Sequence, residues 1–285
     1  MQSKILTKKK INQLLKSGKW MIRFDNDGEG YGGFKWNPLG EWTEAPDWNT
    51  KAECSGGLFG QSPDCNGFCT SRTDMVLCEI DTIIEVEGNK IKTNKALRLA
   101  TNKDIPAVFL NGFSGNLDLW AYKHRLPKGF THFGGYLYLW DYKHKLPKGF
   151  THCGGNLSLG GYKHQLPAGF TYCGGDLRLW DYNHNLPMGF THCGGDLFLS
   201  DYKYKLPKGF THCGGDLFLN DHTNKLPAGF THCGGDLFIN NYKHKLPAGF
   251  TYCGGDLFIN DYIHKLPDGF IENGHKTMKQ GHKED

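Results

Sequence analysis

The sequence predicts a mostly β protein, in which a parallel-sheet repeat solenoid follows a small α+β domain. A segment close to Leu-Pro-x-Gly-Phe-Thr-His-Cys-Gly-Gly-Asp-Leu-x-Leu recurs every 20 residues. Self-similarity at a fixed period of this size is typical of stacked coils. Residues 1–104 contain no copy of the segment. We therefore expect an N-terminal domain over residues 1–104, the solenoid over residues 105–270 and a polar tail over residues 271–285.

The N-terminal domain is predicted from short local patterns. Residues 4–17 have the apolar spacing of an amphipathic helix. A hairpin turn is expected at Gly88-Asn89. The runs with strand character are residues 20–24, 33–36, 75–80, 82–87 and 91–99. The sequence has no phosphate-binding loop, dinucleotide fingerprint or nucleophile motif, so we expect no catalytic residue.

Each 20-residue coil is predicted to supply one short strand. The Leu-Phe-Leu run at residues 217–219 alternates with period 2, so its leucines should face the core and Phe218 should point outward. The Gly-Gly pair before the strand suits a close approach of backbones, and the Leu-Pro pair that opens each coil marks a turn. Phe210 should return to the core. One coil cannot bury its apolar face alone, so the stacked array should be cooperative.

The outward positions of the strands form the candidate binding surface, where an aromatic stripe lies between an acidic row and a Trp or Asn row. A stripe of this size exceeds what a monomer normally exposes, which indicates a binding site. The alternative is that the phenylalanines pack on one another and stabilise the sheet. The first half of the array varies most between coils, which favours specificity there. The predicted binding residues are Trp120, Tyr138, Trp140, Arg178, Trp180, Phe198, Phe218, Phe238, Phe258, Asp196, Asp216 and Asp236.

Six of the ten cysteines recur at the repeat spacing, between residues 153 and 253. Adjacent His and Cys side chains on an extended chain point to opposite sides, so we expect these cysteines to fill interior positions as free thiols rather than to bind a metal. We expect no cofactor. The alternative is zinc in the N-terminal domain, where only one pair has ligand-like spacing. The candidate ligands are Cys54, Cys65, Cys69 and Cys78.

Charge and hydropathy exclude several partner classes. The net charge of +4 is too small for a typical nucleic-acid-binding domain. No run approaches the roughly 18 apolar residues of a membrane span, and no secretory signal is evident. We expect no membrane partner, reduced cysteines and a cytoplasmic location, which would be the host cytoplasm if the protein is viral. The Tyr-Lys-His triplet of each coil is interpreted as a solvated turn surface.

The coil motif resembles the L-P-x-G-L-T-x-x-G-x-L-x-L repeats of bacterial and phage leucine-rich-repeat-like proteins, over residues 105–270. It departs from them by using Phe for the third apolar anchor and Cys before the Gly pair. The FNIP-type repeat of giant viruses and slime moulds shares the Leu-Pro opening, but its Phe-Asn-x-Pro signature is missing here. Residues 32–59 are similar to a small domain that precedes repeat arrays in phage and bacterial proteins, whose usual Gly-Gly-Leu-His ends in Phe59 in this chain. Neither of the two repeat resemblances implies an enzymatic activity.

Three function hypotheses follow. The first is a non-enzymatic interaction or scaffold protein, whose outer sheet face binds a macromolecular partner, most simply a protein. The second is an effector-like enzyme with its chemistry in residues 1–104 and target recognition by the solenoid. The third is a glycan-binding protein that uses the Trp, Tyr and Phe ladders.

Overall fold

The computed structural model describes residues 6–62, 72–86, 90–111, 113–200, 202–272 and 276–277, with the backbone alone at residues 271–272 and 276–277. The predicted turn at Gly88-Asn89 and two of the zinc candidates, Cys65 and Cys69, lie outside these residues. The chain divides into two compact units, Met1–Tyr136 and Leu137–Asp285.

The first unit begins with a helix and two antiparallel sheets. Helix α1 (Lys8–Ser17) follows Thr7, whose side chain accepts a hydrogen bond from the Lys10 N–H, and it ends at Gly18 in the left-handed conformation. The seven strands are β1 (Trp20–Asp25), β2 (Trp42–Glu44), β3 (Leu58–Gly60), β4 (Asp74–Ile80), β5 (Ile84–Val86), β6 (Lys90–Thr93) and β7 (Lys95–Thr101). They form one sheet in the order β1-β4-β7-β2 and another in the order β3-β6-β5.

The local sequence patterns predicted some of these helices and strands correctly. The helix and the strands predicted at residues 20–24 and 75–80 are confirmed. The strand predicted at residues 33–36 is wrong: Gly33 ends a 3-10 turn, Tyr31–Gly33, and Lys35 makes only an isolated antiparallel bridge with Glu29. The run at 91–99 divides at Asn94 into β6 and β7, which belong to different sheets.

The remainder of the first unit leads into the first coil. It contains a 3-10 turn (Asn102–Asp104), helix α2 (Val108–Asn111) and two short strands, Leu117–Asp118 and His132–Phe133. Phe109 of α2 packs edge-to-face on Trp20 of β1, with 4.9 Å between ring centroids. This contact joins the helix to the N-terminal sheet within the same apolar core.

Each coil of the second unit supplies two strands, one to each of two parallel sheets. The Cys sheet consists of His152–Cys153, Tyr172–Cys173, His192–Cys193, His212–Cys213, His232–Cys233, Tyr252–Cys253 and Ile271–Glu272. The Leu sheet consists of Leu137–Tyr138, Leu157–Ser158, Leu177–Arg178, Leu197–Phe198, Leu217–Phe218, Leu237–Phe238, Leu257–Phe258 and Lys276–Thr277. From residue 137 to residue 258 the pairs join equivalent residues of successive coils, as in Leu217 with Leu237, and the last pair of each sheet joins residues 19 apart. The parallel repeat solenoid is thus confirmed.

The expectation of one strand per coil is wrong, because the His-Cys pair forms a second strand. The Cys strand has one buried residue between His and Gly, whereas the Leu strand is marked by two leucines two residues apart, so no alternating pattern marks the Cys strand. The Cys side chain points into the core and the preceding residue points outward: Cys213 is fully buried and His212 is partly exposed. The core between the sheets is completed by stacked phenylalanines such as Phe210 and Phe230, whose centroids lie 5.7 Å apart.

The Gly-Gly pair forms the corner between the two strands. A Cβ on Gly174 would overlap the carbonyl oxygen of Gly154 in the preceding coil. The coils can therefore stack this closely only where the later coil has a glycine at this position. A second corner follows the Leu strand, where Asp221 and Asn241 have φ of 57° and 58°. Asp and Asn tolerate this left-handed conformation better than other non-glycine residues.

The tyrosine of the Tyr-Lys-His triplet is buried, which corrects the interpretation of the whole triplet as turn surface. The Tyr162 hydroxyl accepts a hydrogen bond from the Leu146 N–H at 3.0 Å and donates one to the His144 carbonyl at 3.3 Å. Leu146 opens the coil that contains Tyr162, and His144 belongs to the preceding coil, so the hydroxyl bridges two coils. The interpretation as turn surface is wrong for these tyrosines. Lys and His follow them in the triplet, so the sequence gives no sign that the tyrosine side chain points inward.

Candidate functional site in the outer face of the Leu sheet

We call three outward-pointing residues of each coil the outer face of the Leu sheet. They are the second residue of the Leu strand, the residue just before the strand, and the residue two places after the second strand residue. In one coil these are Asp216, Phe218 and Asn220. The strand leucines on either side of Phe218 are fully buried, and Phe218 itself is half-buried. The direction predicted for each of these side chains is therefore confirmed.

The four phenylalanines of the outer face form a continuous stack. The centroid distances are 4.5 Å for Phe198–Phe218, 4.5 Å for Phe218–Phe238 and 4.4 Å for Phe238–Phe258, with interplanar angles of 7° or less. Each inner ring has both faces covered by its neighbours, so these side chains support the sheet by stacking on one another. Of the inner rings, only the edges are accessible to a partner.

The acidic row is held in place by the backbone. Asp216 Oδ1 accepts a hydrogen bond from the Asp236 N–H at 2.7 Å, and Asp196 Oδ1 accepts one from the Asp216 N–H at 2.8 Å. This pattern repeats along the coils, so the carboxylates recur at the spacing of one strand, about 4.8 Å. Burial, followed by repulsion from Asp196 and Asp236, raises the pKa of Asp216. The row therefore contains unneutralised like charges that a cationic group would stabilise.

Arg178 and Trp180 terminate the phenylalanine stack at its N-terminal end. The Arg178 guanidinium lies 3.0 Å from Asp176 Oδ2 and 5.4 Å from the centre of the Phe198 ring. Trp180 packs edge-to-face on Phe198 at 5.9 Å, yet 44% of its surface is exposed. Arg178 is thus fixed by its neighbours, whereas the Trp180 indole is anchored at one edge and open to solvent elsewhere.

Trp140 lies over a pair of glycines in the next coil. A Cβ placed on Gly160 would be 3.8 Å from Cδ2 of Trp140, and one placed on Gly161 would be 3.6 Å from its Cδ1. The indole therefore lies beside these two residues of the next coil, and 58% of the Trp140 surface is exposed. Neither glycine places a side chain of its own against the indole, and we call this pair the seat of Trp140. Sequence reasoning missed this seat, although the break in the Trp row at Gly160 was its signal.

The first unit has a related pair, Asp118 and Trp120. Asp118 Oδ1 accepts a hydrogen bond from the Trp120 N–H at 3.0 Å, and burial raises the pKa of this carboxyl group. Trp120 is 56% exposed. Each of the three tryptophans named as binding residues is thus among the exposed large side chains of its unit.

The zinc candidates are only partly described by the structure. Cys54 is exposed, and Cys78 is fully buried in β4, where burial raises the pKa of its thiol to about 12. Cys65 and Cys69 lie outside the described residues. Among the residues that are described, no group of three or more His, Cys, Asp or Glu side chains could hold a metal ion.

Comparison with protein-family models, curated proteins and solved structures finds no match to this chain. Within the described ranges, no helix is long and apolar enough to cross a membrane.

Proposed function

We propose that the protein is a non-enzymatic interaction scaffold, which binds a protein partner through the outer face of the Leu sheet. The observation that supports this most strongly is the exposure of the Trp140 and Trp180 indoles, each of which contacts the next coil on one side. Rigid aromatic side chains of this kind are the usual anchors of protein interfaces. We assign recognition to these variable coils, and mechanical support of the sheet to the uniform phenylalanine stack.

The chemistry of the outer face suggests the kind of partner. An acidic row with one carboxylate per coil runs beside the aromatic stripe, and Arg178 is already paired with Asp176. A complementary surface would offer Lys or Arg side chains at similar spacing, and apolar pockets for the two indoles. Because the charges lie at the surface, retention of such a partner should weaken as salt concentration rises.

The experiment is a pull-down from cell lysate with four versions of the full chain as bait. These are the wild type, Trp140→Ser/Trp180→Ser, Phe218→Leu, and a control with Met188→Ser/Ile263→Ser, which removes two exposed apolar side chains from the turns. We expect a basic protein to be retained by the wild type, Phe218→Leu and the control, but not by the Trp pair variant. Circular dichroism verifies that all four baits are folded.

The outcomes separate the two interpretations of the outer face. Loss of the partner in Phe218→Leu, with retention in the Trp pair variant, would move recognition to the phenylalanine stack. Equal recovery on the wild type, the Trp pair variant and Phe218→Leu would contradict the proposal for the whole outer face. Multiple replacement of the stacked phenylalanines is unsuitable here, because it would remove packing that supports the sheet as well as the surface.

Glycan binding is a second candidate, which the seat of Trp140 favours. An exposed indole beside two residues without side chains offers an open face on which a sugar ring can stack. The test is a glycan array probed with the wild type and with Trp120→Ala/Trp140→Ala/Trp180→Ala. Glycans bound by the wild type alone would support this candidate, and binding unchanged by the substitutions would refute it.

We also propose, from the residues alone, a relationship to the bacterial and phage leucine-rich-repeat-like proteins, since the coils keep their Leu-Pro opening, Gly corner and Leu-x-Leu strand. A cytoplasmic location is part of this proposal. All the cysteines of the described residues are free, and reducing compartments keep thiols in that state. Detection of a disulfide in protein isolated from its native cells would contradict this location.

A further inference from the structure

A pocket of about 440 Å³ opens in the first unit between the two antiparallel sheets. This volume lies within the range of small-molecule sites. Its apolar wall includes Phe34, Trp36 and Phe59, and its polar wall includes Arg23, Arg72 and Lys90. The pocket is distinct from the outer face of the Leu sheet, and the hypotheses above give it no role.

Arg23 is the unusual member of this pocket. Its side chain is only 7% exposed, and its guanidinium carbon lies 3.4 Å from the centre of the Trp36 ring. Its Nε and Nη1 atoms have no hydrogen-bond partner in the part of the chain that the structure describes. A buried guanidinium normally uses most of its donors, because desolvated polar groups without partners are costly.

The charges buried near Arg23 do not balance. Asp25 is fully buried, and it is shared by two arginines: its Oδ2 lies 3.5 Å from Arg98 Nη2 and 4.0 Å from Arg23 Nε. Arg98 is the nearer partner. One carboxylate thus faces two buried guanidinium groups, and the excess positive charge lies on the pocket side, at Arg23.

Further cations surround the opening. Arg72 and Lys90 line the pocket with Arg23, and among the described residues of its lining Asp47 is the single carboxylate. Asp47 Oδ1 already accepts a hydrogen bond from the Gly57 N–H at 3.2 Å. The pocket therefore combines positive potential with flat aromatic walls.

We propose that this pocket binds a small anion with a flat apolar body, whose carboxylate or phosphate group pairs with Arg23. The planar fork of a guanidinium suits either group. The body would lie along Trp36 and Phe34, whose rings meet edge-to-face at 5.9 Å. Burial lowers the pKa of Arg23 to about 10, so the side chain is still charged near neutral pH and can pair with the ligand.

Three probes with the same body test this: 2-naphthoate, 2-naphthyl phosphate and the neutral 2-naphthamide. Isothermal titration calorimetry of the full chain at fixed ionic strength should show that at least one anion binds about tenfold or more tightly than the amide. The tighter of the two anions identifies whether the site prefers carboxylate or phosphate. Equal binding of all three, or no binding of either anion at millimolar concentration, would overturn the proposal.

Two substitutions locate the interaction. Arg23→Met should abolish the preference for anions while leaving the thermal midpoint of the unliganded protein unchanged or higher, because Asp25 keeps Arg98. Lys95→Met removes a cation outside the pocket, over the Trp42 ring at 5.8 Å, and should bind as the wild type does. If Arg23→Met does not fold, Arg23→Lys takes its place, with anion binding reduced at least severalfold. Anion binding that is as tight in the Arg23 variant as in the wild type would refute the assignment.

Discussion

At the scale of single residues, the row of buried tyrosines contains one histidine. His222 is 3% exposed and lies between Tyr202 and Tyr242, at centroid distances of 6.5 Å and 6.4 Å. At Tyr242 the hydroxyl joins the Leu226 N–H to the Asn224 carbonyl. An imidazole has no hydroxyl at that place, and neither nitrogen of His222 makes a hydrogen bond of good geometry within the described residues. This coil is therefore held to its neighbour less firmly than the others.

His222→Tyr should stabilise the protein. Restoring the two hydrogen bonds of the row should raise the free energy of unfolding by about 1–2 kcal/mol, measured by urea denaturation near neutral pH. The reverse change in a neighbouring coil, Tyr242→His, should lower it by a similar amount. An unchanged or lower stability of His222→Tyr would show that the coil has adapted its packing to the imidazole.

The same substitution has a defined pH dependence. Burial lowers the pKa of His222 below 6.5, an effect that backbone groups of Tyr202 and Leu199 partly oppose. The unfolded chain therefore binds more protons than the folded chain at pH values between the lowered pKa and 6.5. Stability from the neutral imidazole is complete above that window and is lost as pH falls through it. The advantage of His222→Tyr should thus grow as pH falls from about 7.5 to about 5.5.

At the scale of elements, the Gly-Gly corner sets how closely coils stack. In Gly214→Ala the new methyl group would overlap the carbonyl oxygen of Gly194, and backbone cannot move aside as a flexible side chain can. In Gly209→Ala of the same coil, the nearest atom would be Cγ2 of Thr191 at 3.5 Å, an ordinary contact. We expect Gly214→Ala to lower the free energy of unfolding by about 1–3 kcal/mol or more. Gly209→Ala should change it by less than about 1 kcal/mol. Equal effects in denaturant titrations would contradict this account of the corner.

The elements also show what the sequence can and cannot predict. The Leu strands were predictable because leucines two residues apart mark both the strand and its inward face. The Cys strands were missed because each has a single apolar residue and no second one two places away, and the tyrosine row because its neighbours are mostly polar. The rows of the outer face follow from the repeat, whereas the seat of Trp140 depends on the coil that follows it. The burial of Arg23 depends on the pairing of β1 with β4, a strand distant in the sequence, and on the contact of its guanidinium with Trp36.

At the scale of the whole second unit, the coils form a nearly one-dimensional array. The strands of both sheets pair only with equivalent strands of adjacent coils, as in Leu237 with Leu217 and Leu257. The phenylalanine, tyrosine and aspartate rows follow the same rule. Stability in such an array is close to a sum of the coils and of the interfaces between neighbours.

Removing one complete coil should therefore leave the fold intact. Deletion of residues 226–245 brings Phe258 against Phe218 and keeps every row in register, because each position is replaced by its equivalent 20 residues later. We expect one cooperative thermal transition by circular dichroism, with a midpoint lowered by about 2–4 °C for each kcal/mol lost. Deletion of residues 226–235 removes half a coil and places strand positions against corners, so the cooperative transition should disappear. If both deletions unfold the chain, the coils are not interchangeable. If neither deletion does, the phenylalanine, tyrosine and aspartate rows do not determine how one coil aligns with the next.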